Sequence, residues 1–259
     1  MTKKKTSNKY KNKLIEKRRR KIKIRRCFLF FIILISISIT LCLKHPYFNV
    51  KEIQVFNNRN ISSEEIKKIS KLNIRKNIFY LNFKESKTNI LKNPYILSTD
   101  IKRKLPNKIK IYVQERTAVF YVKEDNKYLV IDKDGIVLER KESINKMKLL
   151  KLQGFEEKTF TVGEVISKKD SRKVEVISYI TDLIKRLKKG IPEPSMVDVG
   201  DLTNIKMYYG NMVIKLGTSD DIEKKFNTAI NILNSNDLIS KKGYIDVSFK
   251  EEPVFLVEN

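Results

Sequence analysis

Lys108-Ile109-Lys110-Ile111-Tyr112-Val113-Gln114 alternates polar and apolar residues with a period of two, the pattern of a strand with one face buried and the other wet. Leu105-Pro106-Asn107 turns the chain just before it, with Pro106 where its missing N–H removes no ladder bond. Upstream of the turn, Tyr95, Leu97, Thr99 and Ile101 alternate and predict a second strand. Further back, a helix is expected from Phe83 to Leu91, capped by Asn82 and stopped before Pro94. Ser62-Ser63-Glu64-Glu65 reads as a capping box, Ser62 the N-cap and Glu65 reaching back, with Ile61 and Ile66 as its hydrophobic staple. Ile66, Ile69 and Leu72 continue the stripe of a short helix, and Val50 to Phe56 reads as a strand. The order strand–helix–helix–strand–strand predicts a three-stranded sheet with both helices on one face.

The chain downstream is richer in strands. Thr117–Val122 and Lys127–Ile131 pair in the reading, and Asp132-Lys133-Asp134-Gly135 turns into Ile136–Leu138. Leu149–Leu152 is a short apolar strand. Ser167-x-x-Asp170 is expected to cap a helix whose stripe is Val174, Ile177, Ile180, Ile184 and Leu187, ended by Gly190 and Pro192. Strands follow at Met196–Val199, Ile205–Tyr209 and Met212–Leu216. A helix then aligns Ile222, Phe226, Ile230 and Leu233, and Tyr244–Val247 is again extended. The last apolar stretch, Pro253–Val257, is expected at a sheet edge, where unpaired N–H and C=O groups accept another strand.

The N-terminal part obeys different physics. Residues 1–26 hold 14 Lys/Arg and one acid, Glu16, whereas Cys27 to Leu43 are 17 residues without a charge, 12 of them Phe, Leu or Ile. At roughly 0.3–0.6 kcal/mol each, those 12 side chains favour membrane insertion by about 4–7 kcal/mol. The stretch spans about 25 Å, a little short of the hydrocarbon core, and Arg25, Arg26 and Lys44 flank it and snorkel outward. A cleaved signal peptide fits less well: its basic leader is normally a few residues long, and no Ala-x-Ala site follows. The positive-inside rule places residues 1–26 in the cytoplasm, against anionic lipid headgroups, and the rest beyond the membrane. Nucleic acid is the weaker partner for this segment, which lacks interleaved aromatics beyond Tyr10 and abuts a span.

Composition narrows the function. The 259 residues carry a formal net charge of +25, yet two cysteines and one histidine exclude a disulfide scaffold, a cysteine zinc cluster and most multi-histidine metal sites. Both cysteines, Cys27 and Cys42, lie in the apolar stretch, so the remainder holds together by packing alone. Ser143-Ile144-Asn145-Lys146 matches S-x-x-K but lacks the companion motifs of penicillin-binding enzymes. His45 has no acid or nucleophile nearby in sequence. Asp220-Asp221 and Glu251-Glu252 are adjacent pairs that suit caps and turns. No catalytic, cofactor or metal residue is assigned.

The chained pattern Phe48-x-Val50-x-x-Ile53-x-Val55, Ser62-x-x-Glu65, Asn77-Ile78-Phe79, Pro94-Tyr95 and Ile101-x-Arg103-x-x-Pro106-x-x-Ile109-x-Ile111-x-Val113-x-Glu115-Arg116 resembles the POTRA domain of the bacterial FtsQ/DivIB cell division family. Asn57-Asn58 stands where that family usually has Gly-Asn, and asparagine tolerates the left-handed angles such a turn needs. Asp132-x-x-Gly135 resembles the hairpin that opens the family's β-rich domain. Lys215-Leu216-Gly217, Glu223–Phe226 and Tyr244-Ile245-Asp246-Val247 resemble its closing segment.

The resemblance, over roughly residues 27–257, implies an α+β chain with a basic tail (1–26), a transmembrane helix (27–43), a β-α-α-β-β POTRA domain (46–115) and a mixed β-rich domain with two helices (116–259). It implies a non-enzymatic, single-pass type II protein at the division septum, without cofactors, whose partners are FtsL-type and FtsB/DivIC-type proteins. The expected partner-binding edge is Tyr244, Val254, Phe255, Leu256 and Val257. The rival expectations are a bitopic cell-wall enzyme using Ser143 or a carboxylate, and a binder of anionic wall polymers through the net +12 of residues 27–259.

Overall fold

No glycine or proline interrupts the chain between Lys3 and Lys44, and the basic and apolar segments together form one 42-residue helix, α1 (Lys3–Lys44). His45, held extended ahead of Pro46, ends it. The computed structural model describes residues 3–156, 160–249 and 251–258. Among the described residues, Lys17–Lys44 is the one helix long and apolar enough to cross a membrane. Phe28, Phe30, Phe31 and their Ile and Leu neighbours are all exposed. Such a column of uncovered apolar side chains is stable in hydrocarbon and costly in water.

Two compact units divide the chain. One comprises the chain up to Phe56, Ser63–Lys87 and Asp100–Tyr112, the other Asn57–Ser62, Thr88–Thr99 and the chain from Val113 onward. After α1 come β1 (Glu52–Phe56), α2 (Ser63–Ser70), a 3-10 turn (Ile78–Tyr80), α3 (Phe83–Leu91), β2 (Ile96–Lys104) and β3 (Lys108–Glu115). They give the expected β-α-α-β-β order. The sheet runs β1-β3-β2, with β1 parallel to β3 and Ile53 and Val55 opposite Ile109 and Ile111. Ile109, Ile111 and Val113 are buried as their period predicts. β2 departs from its predicted alternation. Ile96 and Ile101 are its buried residues and Leu97 is exposed; five residues apart, the two buried side chains lie on opposite faces of the strand, so one-face alternation does not describe it.

Asn57 takes a φ of 66°, the left-handed angle its turn requires. Beyond it, the Glu115 carboxylate accepts the backbone N–H groups of Arg59 (2.8 Å), Asn60 (2.8 Å) and Ile61 (3.3 Å), ordering the approach to α2. Glu115→Ala is expected to cost about 1 kcal/mol, read as a lowered unfolding midpoint with faster amide exchange at Arg59–Ile61.

The larger sheet has nine strands: β4 (Ala118–Glu124), β5 (Lys127–Asp132), β6 (Val137–Lys141), β7 (Leu150–Gln153), β8 (Met196–Asp198), β9 (Ile205–Tyr209), β10 (Met212–Gly217), β11 (Lys242–Asp246) and β12 (Val254–Glu258). Their order is β12-β11-β10-β9-β8-β7-β4-β5-β6. Pairings β4–β7, β7–β8 and β10–β11 are parallel. α4 (Ser171–Lys185) and α5 (Ile222–Ser235) contribute Ile177, Ile180, Phe226, Ile230 and Leu233 to a core that includes Phe120, Ile131, Val197, Met207, Ile214 and Ile245. α4 begins later than its predicted cap: Asp170 is the N-cap and makes no side-chain cap bond, while Ser167 accepts the Asp170 N–H at 3.2 Å.

The β5–β6 turn is organised by Asp132. Its Oδ1 accepts the N–H groups of Asp134 (3.0 Å) and Ile136 (2.8 Å), its Oδ2 pairs with Arg116 Nη1 at 2.7 Å, and Gly135 takes a φ of 74°. Burial pushes the Asp132 carboxyl above the usual aspartate range, against the opposing pull of Arg116 and the Ile136 N–H.

Candidate binding edge

β12 stands at one end of the nine-stranded sheet, antiparallel to β11. Its apolar residues Val254, Phe255, Leu256 and Val257 are between 38% and 50% exposed, on both faces of the strand. Cross-strand partners share a face. Leu256 lies opposite Tyr244 and Phe255 opposite the fully buried Ile245. Val254 and Leu256 therefore share the Tyr244 face, while Phe255 and Val257 lie on the face that carries Ile245. The structure thus brings the five predicted edge residues into one two-strand ribbon.

The Tyr244 face is electrostatically set. Lys215 Nζ lies 3.8 Å from the centre of the Tyr244 ring and 3.7 Å from Asp246 Oδ2, so the ring presents its negative face to a cation. Lys242 and Glu258 close the far end of the ribbon at 2.6 Å, and this pair holds the Lys242 ammonium above the usual lysine range. Where β12 begins, a cavity of about 610 Å³ opens between α5 and the β11–β12 connection. Lys224, Lys225, Val247, Phe249, Glu252 and Pro253 are among its lining residues.

The opposite edge strand, β6, is defended. Val137 N–H donates to Glu164 O, Gly163 N–H donates to Val137 O, and Ile136 bridges to Val165, so a returning segment covers its start. Its other end carries Glu139, Arg140 and Lys141 in ion pairs. Charge and cover are what keep an edge from pairing. β12 has neither along its apolar residues.

Gly243, which the sequence reading did not single out, sets the ribbon's geometry. It lies opposite Val257 with a φ of 151°, and a Cβ there would overlap the carbonyl oxygen of Leu256. A glycine inside a strand pattern is the available signal for such close approach.

Of the acidic pairs, Asp221, Glu251 and Glu252 line the cavity where β12 begins; the other residues weighed for chemistry serve turns, caps and surface links. Ser143 and Lys146 are exposed in a turn. His45 Nδ1 accepts the Tyr47 N–H at 3.1 Å, capping a 3-10 turn (Pro46–Phe48). Asp220 accepts the Thr218 hydroxyl at 3.1 Å, and Asp221 precedes α5 without a side-chain cap bond. Tyr179 donates to Glu223 at 2.9 Å, and this bond raises the phenol above the usual tyrosine range; it is a surface link between α4 and α5. Among the described residues no group of three or more His, Cys, Asp or Glu is placed to hold a metal ion. Arg25, Arg26 and Lys44 are exposed and flank the apolar stretch of α1.

A candidate membrane span, a β-α-α-β-β module and a nine-stranded domain with an exposed apolar edge strand define an α+β protein with one candidate membrane helix. Residues 48–116 match the model of the FtsQ-type POTRA domain, and residues 120–248 match that of the FtsQ/DivIB C-terminal domain of cell division proteins. The chain is 46% identical to the cell division protein DivIB of Clostridium botulinum strain Hall, over 94% of each chain. It is 43% identical to DivIB of Clostridium tetani over 88% of this chain and 87% of that one. With DivIB of Bacillus subtilis it shares 33% identity over 47% of this chain and 48% of that one. The chain belongs to the FtsQ/DivIB family of cell division proteins. Nothing in that family assignment indicates catalysis. β12 begins six residues beyond the matched C-terminal domain.

Proposed function

We propose that this protein is a non-enzymatic component of the division machinery that binds single-pass proteins of the FtsL and FtsB/DivIC type and supports septum formation. α1 holds it in the cell membrane. The concentration of 14 Lys/Arg before Cys27 supports a cytoplasmic N-terminal side, with the folded modules outside. β12 carries the reading: it is an uncovered sheet edge with four consecutive exposed apolar side chains. A strand from the partner pairs with this backbone for register, and its side chains meet Val254 and Leu256 on one face or Phe255 and Val257 on the other.

The test is titration of the full-length chain in lipid nanodiscs with an FtsB/DivIC-type partner. Leu256→Glu places a charge in the docked surface and is expected to weaken binding about tenfold, or ~1.4 kcal/mol. Val254→Pro removes a strand N–H and is expected to do at least as much. Full affinity in both variants would remove edge pairing as the mechanism. A fluorescent fusion is expected at midcell in dividing cells, and uniform membrane labelling would count against the septal assignment.

A further inference from the structure

The segment joining α2 to α3 is fastened to the end of α1. Asn77 Nδ2 donates to the carbonyl oxygens of Cys42 and Leu43, each at 3.0 Å, and Asn77 Oδ1 accepts the Phe79 N–H at 3.0 Å. The backbone adds more: Val50 N–H donates to Lys76 O at 2.9 Å, Arg75 N–H to Val50 O at 2.8 Å, and Asn49 bridges to Asn77. Carbonyls in the last turn of a helix have no intrahelical partner, and Asn77 satisfies two of them.

The fastening fixes depth. Cys42 and Leu43 are the last two residues of the uncharged stretch, which covers about 25 Å against a hydrocarbon core of about 30 Å. A short span draws its flanks toward the bilayer rather than holding them off. A segment bonded to those two carbonyls therefore lies at the level of the lipid headgroups. Its surface suits that level. Tyr47, Ile74, Phe79 and Tyr80 are exposed, Tyr80 at 60%, and Phe48 meets Tyr47 edge-on (5.4 Å) and Phe79 at a tilt (5.5 Å). Lys44, Lys71, Arg75 and Lys76 are exposed among them, and no Asp or Glu occurs in 43–51 or 71–81. Aromatic rings with an apolar body and a wet tip, beside cations, partition to the membrane–water interface.

We infer that Tyr47, Ile74, Phe79 and Tyr80 form a collar seated in the lipid headgroup layer where α1 leaves the bilayer, with Lys71, Arg75 and Lys76 against anionic lipid phosphates. This rests on α1 being a membrane span. Asn77 and the collar tie the span to the α2–α3 segment of the same unit, so that tilting the helix carries this segment with it.

The chain contains no tryptophan, so single-tryptophan variants report from one place. Tyr80→Trp and Ile74→Trp replace exposed side chains, and Leu41→Trp marks the span. Each full-length variant is placed in nanodiscs of phosphatidylcholine and phosphatidylglycerol. The collar predicts that Tyr80→Trp and Ile74→Trp show blue-shifted emission, quenching by lipids brominated near the headgroup and protection from aqueous acrylamide. If Leu41→Trp is lipid-quenched while both loop variants are quenched by acrylamide as freely as a water-exposed indole, the collar is overturned and the span stands. If Leu41→Trp escapes the brominated lipid as well, the span itself has failed and the collar with it.

Discussion

Arg116→Met is expected to destabilise the β-rich domain by about 3–5 kcal/mol at neutral pH, because it leaves a buried carboxylate without its counterion. The Asp132 side chain is 3% exposed and that of Arg116 19%, with 2.7 Å between their charged atoms. Asp134 Oδ2 also approaches the same Arg116 nitrogen at 3.4 Å but is nearly half exposed, so water screens it. The loss therefore concentrates on Asp132. Its Oδ1 keeps the Asp134 and Ile136 N–H groups, so the turn survives while the second oxygen is stranded. Asp132→Asn in the Arg116→Met background removes the stranded charge and is expected to restore most of the loss. Chemical denaturation of the four variants in a double-mutant cycle measures this.

The pH dependence of that loss has a definite sign. The folded chain holds the Asp132 proton more tightly than the unfolded chain, since burial raises its pKa. This group's contribution to stability is therefore full below the ordinary aspartate pKa and falls as pH climbs to the elevated folded value. Arg116→Met takes away a stabiliser of the ionised form and raises the folded pKa further, so the declining window widens upward. The variant should recover part of its stability on acidification, relative to the unaltered chain. A gap between the two that stays constant with pH would mean Asp132 is not the group responsible.

What was legible in the sequence was local. The alternation of Lys108–Gln114 became β3 with the predicted face inward, and the Asp132-x-x-Gly135 turn is made by that aspartate's own hydrogen bonds to the backbone. Helix stripes survived too, because Ile177, Ile180, Phe226 and Leu233 are set by a 3.6-residue period that needs no knowledge of the partner surface. What the sequence hid was contact between distant segments. β7 lies between β4 and β8 through two parallel pairings, and parallel neighbours share no turn whose residues announce them. The role of Asn77 was hidden for the same reason: its side chain reaches carbonyls 34 and 35 residues earlier. Glu115 appeared in a motif, yet its three N–H partners lie 54 to 56 residues away.

Gly243→Val is expected to detach β12, the proposed binding edge, while leaving the core folded. A side chain at this position meets the backbone of β12 rather than a flexible neighbour. The Leu256 carbonyl oxygen occupies the place of the new Cβ, with the Leu256 carbonyl carbon 3.0 Å and the Val257 Cα 3.2 Å away. The φ of 151° adds strain for any L-residue. β12 is the terminal strand of the sheet and its apolar side chains are already 38–50% exposed, so peeling it off uncovers their remaining surface and the neighbouring face of β11 but not the core under β9 and β10. Release is thus cheaper than distorting β11, whose Ile245 is fully buried beneath α5. The expected signature is fast amide exchange at Val254–Glu258, unchanged exchange in β9 and β10, and a lowered global stability. Partner affinity should fall by roughly a hundredfold, ~2.7 kcal/mol, because pairing needs a strand already in place. Gly243→Val with a detached β12 and undiminished affinity would move the binding surface off this edge. A variant that keeps β12 protected would show instead that β11 yields.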